Sequence, residues 1–217
     1  MSLKGELKVI FEKDGLLLID KPSGLLSQPG RGPELQDSVL TRVRTAFPWA
    51  ELVHRLDRDT SGLLMLALTP DIHRAMSQAF AGRTVEKKYV GLCSGRIAGT
   101  SGTIVCPLAR VDTNPPRYAA HPEGRMAVTH WKRLSAEKTH SRLCLIPITG
   151  RSHQLRAHLH GIGHPLLGDP IYGVADDDRL MLHAEYLRFR HPIGGEWQSL
   201  ETQAPFSTPI FKLADCR

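Results

Sequence analysis

The chain has 217 residues, with 28 lysines and arginines against 22 aspartates and glutamates, which gives a formal net charge of +6. This length is enough for one large domain with a substantial apolar core, and we expect a single domain over residues 1–217. The charged N-terminus lacks the apolar core of a signal peptide, and no apolar run approaches the length of a membrane span. These features argue against a secreted or membrane protein, so we expect a cytoplasmic one. The scattered basic residues indicate a folded basic surface that suits a polyanion.

Two helices are predicted in the first half of the chain. The first covers residues 38–47 with Asp37 as its N-cap. The second begins at Thr69 as N-cap, has Pro70 at its first helical position and ends at Gly82. The apolar runs that predict strands, in chain order, are 7–11, 16–20, 63–68, 85–93, 103–106, 127–134, 142–148 and 181–189.

The order of these elements indicates the fold class. Strands outnumber helices, and the only other helical pattern covers residues 152–160. Because helices and strands do not alternate regularly, we expect an α+β fold around a mixed, mostly antiparallel sheet with flanking helices. The segment 112–124 is rich in turn residues and predicts a long exposed hairpin or loop.

The nonapeptide HRLDRDTSG, residues 54–62, places two carboxylates among three basic side chains directly before a strand that reads as fully buried. A charged loop fixed to a rigid strand is a common place for catalytic residues. The alternative is a solvated turn in which the charges form exposed ion pairs. The segment alone favours the second interpretation.

A second polar segment, TGRSHQLRAHLHGIGHPLLGD, covers residues 149–169. Its histidines His153 and His158 are five residues apart with no glutamate between them, which does not match a helical zinc motif, and the four cysteines form no CxxC pair. We therefore expect no metal. Arg151 and Arg156 are more informative, since an arginine that reaches an aspartate lowers the aspartate's pKa by about 1 to 3 units. An ionised aspartate so placed can act as a nucleophile.

Seven motifs occur together and in order along nearly the whole chain. With them the sequence resembles the RluA family of RNA pseudouridine synthases. The motifs are KPSGLL (21–26), HRLDRDTSG (54–62), KKYV (87–90), GRMAVTHW (124–131), TGRSHQLRAH (149–158), GHPLLGDPIYG (163–173) and LMLHAEYL (180–187). HRLDxxTSG followed downstream by TGRxHQLR is highly specific, so the solvated-turn interpretation loses most of its weight.

The resemblance assigns roles residue by residue. It implies that Asp57 is the catalytic aspartate and that Arg156 pairs with it. Arg55 would occupy the space that the target uridine leaves when it flips out of its stack, and Tyr89 would pack against the flipped uracil. Leu182 would close the apolar side of the pocket. From its position alone, an ordinary strand aromatic is the favoured interpretation of Tyr89.

The resemblance also implies the substrate. The match is to the short members of the family, which implies an RNA partner, with a 23S rRNA loop and the tRNA anticodon loop as targets, and no DNA. The reaction is an isomerisation and implies no cofactor. The catalytic pattern begins within the first two dozen residues, so we expect no separate S4-type RNA-binding domain. Arg117 and Arg125, in or next to the segment 112–124, are candidate RNA-binding residues. We expect a monomer.

Three alternatives remain at this stage. The chain could modify a single, different uridine in rRNA or tRNA. It could be a non-catalytic RNA-binding module that has kept the fold but lost the reaction. It could also be a histidine-dependent metal hydrolase, which would bind metal stoichiometrically.

Overall fold

The computed structural model describes residues 7–173 and 179–206, so the charged residues 1–6 of the N-terminus lie outside it. None of the helices in these two ranges has the length and apolar character needed to cross a bilayer. The helices are α1 (Val39–Arg44), α2 (Pro70–Ala81) and α3 (Gln154–Gly161). The strands are β1 (Lys8–Lys13), β2 (Leu16–Lys21), β3 (Glu51–Leu52), β4 (Ser61–Ala67), β5 (Glu86–Ser94), β6 (Ser101–Thr113), β7 (Pro116–Ala120), β8 (Arg125–Ala136), β9 (His140–Pro147), β10 (Leu182–Arg190) and β11 (Trp197–Glu201).

The chain divides into two compact units. The first contains the described residues up to Lys87 together with Ala184–Ala204, and the second contains Lys88–His183 and the described residues from Pro205 onward. The assignment of residues 1–217 to a single domain stays a prediction.

In the first unit the strands follow the order β1, β2, β4, β10, with β3 beside β4 and β11 beside β10. The pairs β1–β2 and β2–β4 are antiparallel. Every residue of β4 is buried, which explains the uninterrupted apolar run that begins at Leu63. Helix α2 packs on this sheet through Ile72 and Met76, which join Leu63 and Met65 of β4 in one apolar cluster.

In the second unit the strands follow the order β5, β9, β8, β6, β7, and the pairs with a described register are antiparallel. Helix α3 packs on one face of this sheet. Its Leu155 and Leu159 lie in one apolar cluster with Leu143 and Leu145 of β9. The α+β fold with a mostly antiparallel sheet is confirmed.

The second predicted helix is confirmed, whereas the first is shorter than predicted at both ends and stops at Arg44. The Thr69 hydroxyl accepts a hydrogen bond from the Ile72 amide, and α2 ends at Gly82. Helix α1 is capped by Ser38 instead of Asp37, since the Ser38 and Thr41 side chains form a reciprocal capping box. The Asp37 carboxylate, one residue earlier, binds the Arg42 guanidinium through both oxygens.

The strand predictions underestimate the second unit. The run predicted as 103–106 is the middle of β6, which has 13 residues. The segment 112–124 is a hairpin rather than an irregular loop, because β7 pairs with β6 within it. Strands β3, β7 and β11 are absent from the prediction, because short or polar edge strands carry little apolar pattern.

Candidate active site

The motif HRLDRDTSG forms the connection between β3 and β4 and begins at a fixed histidine. The His54 ring stacks on Phe80 of α2 with a centroid distance of 4.6 Å, and its Nε2 accepts a hydrogen bond from the Met65 amide at 3.1 Å. Burial and, to a smaller extent, the positive charge of Lys87 lower the pKa of His54 to about 3. The imidazole is therefore neutral at physiological pH, the state in which Nε2 can accept a hydrogen bond.

The Lys21 side chain holds the middle of this connection through hydrogen bonds. Its side chain is completely buried, and Nζ donates to the carbonyl oxygens of Pro22, Leu25 and Arg58 at 2.7–2.8 Å. A buried ammonium needs such partners, since an unpaired charge in an apolar interior is costly. Lys21 therefore ties the KPSGLL segment to the backbone of the HRLDRDTSG motif.

Two serines of the neighbouring segment add to this attachment. Ser23 Oγ donates to the Asp59 carbonyl at 2.7 Å, and Ser27 Oγ donates to the Leu56 carbonyl at 2.7 Å. The Ser27 hydroxyl also accepts from the Leu56 amide at 3.1 Å. The segment 21–27 thus holds the backbone on both sides of Asp57 in place.

The motif ends at Gly62, where the backbone leaves no room for a side chain. Gly62 has φ +112°, and a Cβ there would lie 2.3 Å from the carbonyl oxygen of Ala184. Positive φ and this close approach both require glycine. The final residue of TSG is therefore explained by packing against the backbone near the start of β10.

The charged side chains of the motif have different surroundings. Arg55 is exposed, and Asp57 is half-buried. Arg58 and Asp59 form an ion pair with a distance of 3.1 Å from Nε to Oδ1. The solvated ion-pair turn thus describes these last two residues, whose pair contributes little to stability. Asp57 sits in the part of the connection whose backbone is fixed.

In the second unit, Tyr89 and Leu182 belong to one apolar cluster. Tyr89 on β5 is half-buried and packs against this cluster, which also contains Leu155 and Leu159 of α3. Leu182 is 3% exposed. Two of the residues predicted for the uracil pocket are therefore brought together with the helix that carries Arg156.

Arg156 forms a buried ion pair with Asp169. Arg156 Nε donates to Oδ2 at 2.8 Å and Nη2 donates to Oδ1 at 2.7 Å. Burial alone would raise the pKa of Asp169, but the hydrogen bonds and charge of Arg156 and the amides of Ile171 and Tyr172 hold it below its usual value. Sequence reasoning missed this partner of Arg156. The expected pairing of Arg156 with Asp57 stays a prediction.

Tyr172 connects helix α3 to the β6–β7 hairpin. Its hydroxyl accepts a hydrogen bond from the Tyr118 amide at 2.7 Å. The guanidinium carbons of Arg156 and Arg117 lie 5.2 and 5.7 Å from its ring centroid. Arg117 Nη2 also donates to His160 Nε2 at 3.0 Å. Arg117 is therefore half-buried against α3.

The last predicted site residue is Arg125, and the described residues can also be searched for a metal site. Arg125, at the start of β8, is exposed. Over residues 7–173 and 179–206, no three histidine, cysteine, aspartate or glutamate side chains form a group that could hold a metal ion.

The match of the chain to known proteins covers both units. The family model of RNA pseudouridylate synthases matches residues 15–161. The chain belongs to this family. The dual-specificity RNA pseudouridine synthase RluA of Yersinia pestis is 41% identical to this pseudouridine synthase over 204 residues, which cover 91% of the chain and 99% of the relative. The RluA enzyme of Escherichia coli K12 is 39% identical over 207 residues, covering 92% and 94%.

A solved structure supports the same assignment. The human protein RNA Pseudouridylate Synthase Domain Containing 1 is 28% identical and superposes with a TM-score of 0.78, covering 93% of this chain and 85% of its own. The pseudouridine synthase described here is therefore an isomerase, and RNA is its substrate. The roles of the individual residues stay predictions.

Sequence reasoning missed Lys21, Asp169 and Tyr172, although the motifs KPSGLL and GDPIYG contain them. The apolar run 16–19, which ends two residues before Lys21, is the signal that could have identified Lys21, since buried charges in proteins are almost always paired. Asp169 and Tyr172 have no such local signal.

Proposed function

We propose that this enzyme converts one uridine in a 23S rRNA loop and one in a tRNA anticodon loop to pseudouridine, as a cytoplasmic monomer. The observation that carries the proposal is the 41% identity to a dual-specificity RNA pseudouridine synthase over 99% of that relative's length. A compact enzyme can act on two RNAs if it recognises a short loop sequence that both contain. Single-stranded loops are the parts of RNA whose bases can be read individually.

The reaction breaks the N1–C1′ bond of the uridine, rotates the uracil and forms a C5–C1′ bond. The C5 proton is lost to solvent and N1 gains a proton, so no atoms are gained or lost overall. A stacked uracil is not accessible to this chemistry, and extruding it costs a few kcal/mol. Arg55 is exposed at the entry to the HRLDRDTSG motif, and in our proposal it occupies the vacated space and offsets part of this cost.

Asp57 is the proposed catalytic carboxylate, with Arg156 and Tyr89 as the other catalytic residues and Leu182 against the uracil. One observation supports Asp57. The backbone carbonyls on both sides of it are held by the segment 21–27, which would keep its carboxylate in one position.

Arg117 and Arg125 are the proposed contacts to the RNA backbone. The net charge of +6 supports a phosphate-binding surface, and Arg125 is exposed. Phosphate contacts of this kind position the RNA, and contacts to bases select the uridine.

The test is a map of pseudouridines in total rRNA and tRNA from cells with and without this protein. We expect the loss of one site in 23S rRNA and one in the anticodon loop of certain tRNAs. Loss of a single, different site would keep the enzyme class and contradict the dual target. An unchanged map would contradict the proposed function as a whole.

A further inference from the structure

The ion pair with Asp169 fixes the orientation of the Arg156 guanidinium in addition to neutralising its charge. The two hydrogen bonds join the Nε and Nη2 edge of the guanidinium to both carboxylate oxygens. The side chains are 2% and 0% exposed. A bidentate pair of this kind fixes the plane of the guanidinium as well as its position, which a single contact would not do.

Asp169 is itself held by backbone, independently of Arg156. Its Oδ1 accepts from the amides of Ile171 and Tyr172 at 2.9 and 3.1 Å, and its carbonyl accepts from the Gly173 amide at 3.0 Å. The ring of Tyr172 then lies 5.2 Å from the Arg156 guanidinium carbon. The GDPIYG segment thus provides a carboxylate and an aromatic face for one arginine.

We propose that Asp169 is a positioning residue that sets the orientation of the Arg156 guanidinium for the isomerisation. It holds the Nε and Nη2 edge, so the plane of the guanidinium and the direction of the opposite edge, which carries Nη1, are fixed. This inference rests on the proposed catalytic role of Arg156. Stability alone gives little reason for the pair, because apolar residues in place of a buried ion pair are often neutral or stabilising.

The test is a double-mutant cycle on Asp169→Asn and Arg156→Met. Single-turnover tritium release is measured with saturating enzyme on [5-³H]uridine-labelled rRNA and tRNA from cells lacking the protein, and RNA affinity is measured by filter binding. Asp169→Asn should slow tritium release about 10- to 100-fold. This is the loss found in metalloenzymes when a residue that only orients a functional side chain is removed. The RNA Kd should stay within about twofold, as for a residue that acts in the reaction step. In the Arg156→Met background the same change should have no further effect, because the two residues act as one unit.

Two further variants keep the inference testable if Asp169→Asn folds poorly. Arg156→Lys keeps the buried charge but cannot bind both carboxylate oxygens side-on, so it should also lose at least about tenfold in rate. Asp37→Asn is the matched control, since it breaks a bidentate pair with Arg42 on the surface and should leave release unchanged.

The possible failures are distinguishable. Wild-type rates for Asp169→Asn or Arg156→Lys, or an additive loss in the double variant, would overturn the positioning role. No tritium release by the wild-type enzyme from any of these RNAs would overturn the proposed function, and this inference with it.

Discussion

Replacing Lys21 with methionine tests whether the KPSGLL segment fixes the HRLDRDTSG motif. Lys21 Nζ donates three charge-assisted hydrogen bonds to carbonyls, two of them to Leu25 and Arg58. Such bonds contribute about 1.5–3 kcal/mol each, and removing the donor leaves its acceptors unsatisfied. The desolvation cost of the ammonium, several kcal/mol, is recovered in the variant. The net loss should therefore be about 3 kcal/mol, the difference between the lost hydrogen bonds and the recovered desolvation cost.

The assay combines thermal unfolding with tritium release. A loss of this size should lower Tm by about 6–12 °C in a chain of this length. Release should fall further than RNA affinity at a temperature where Lys21→Met is folded, because the backbone beside Asp57 is no longer held. Lys8→Met is the control, since Lys8 is 70% exposed and its ion pair with Asp20 is worth little. A Tm within about 2 °C of wild type for Lys21→Met would refute this reasoning.

Three further predictions concern separate parts of the molecule. Gly62→Ala should destabilise the protein by about 3 kcal/mol or more, because the added Cβ would overlap the backbone of Ala184 in β10. Gly24 also has a positive φ but has open space around it, so Gly24→Ala should cost only about 1 kcal/mol. Denaturant titration measures both losses. Burial lowers the pKa of His158 to about 4, so the folded state requires a neutral imidazole. The stability that depends on this neutral form is fully present above pH 6.5 and is lost as the pH falls toward 4. The free energy of unfolding of the wild type should therefore be about 2 kcal/mol lower at pH 5 than at neutral pH. In His158→Gln it should fall less between these two pH values, and an equal fall in both proteins would contradict the prediction. Arg125→Glu and Arg117→Glu should each weaken RNA binding and reduce the slope of log K against log salt by about 0.7, with little change in single-turnover rate; an unchanged slope would show that these residues do not contact phosphate.

The sequence predicts the parts of the fold that depend on local pattern. Helix α2 follows from the Thr69 cap, Pro70 and Gly82, and β4 follows from a run that is apolar at every position. The sequence predicts the cap of α1 one residue too early because Asp37 and Ser38 are both good N-caps, and the reciprocal bond between Ser38 and Thr41 decides between them.

The candidate site is predictable only as a set of residues. Asp57 and Arg156 follow from motifs, but the partner of Arg156 depends on how the GDPIYG segment folds back on α3. Asp169 lies 13 residues from Arg156, and nothing in the local pattern distinguishes it from a surface aspartate. The three carbonyl acceptors of Lys21 are backbone groups, which have no sequence signature at all.

Asp57 is the proposed catalytic carboxylate in the isomerisation of uridine, and two substitutions within one motif test this role. Asp57→Asn and Asp59→Asn each replace a carboxylate of the same motif by a neutral amide of the same volume. Tritium release from [5-³H]uridine-labelled RNA should be abolished in Asp57→Asn, with RNA affinity within about twofold of wild type, as expected for a group that acts in the transition state rather than in binding. Asp59→Asn should retain near wild-type release, because the ion pair that its carboxylate forms with the exposed Arg58 contributes little. Tritium release by Asp57→Asn together with its loss in Asp59→Asn would show that Asp57 is not the catalytic carboxylate.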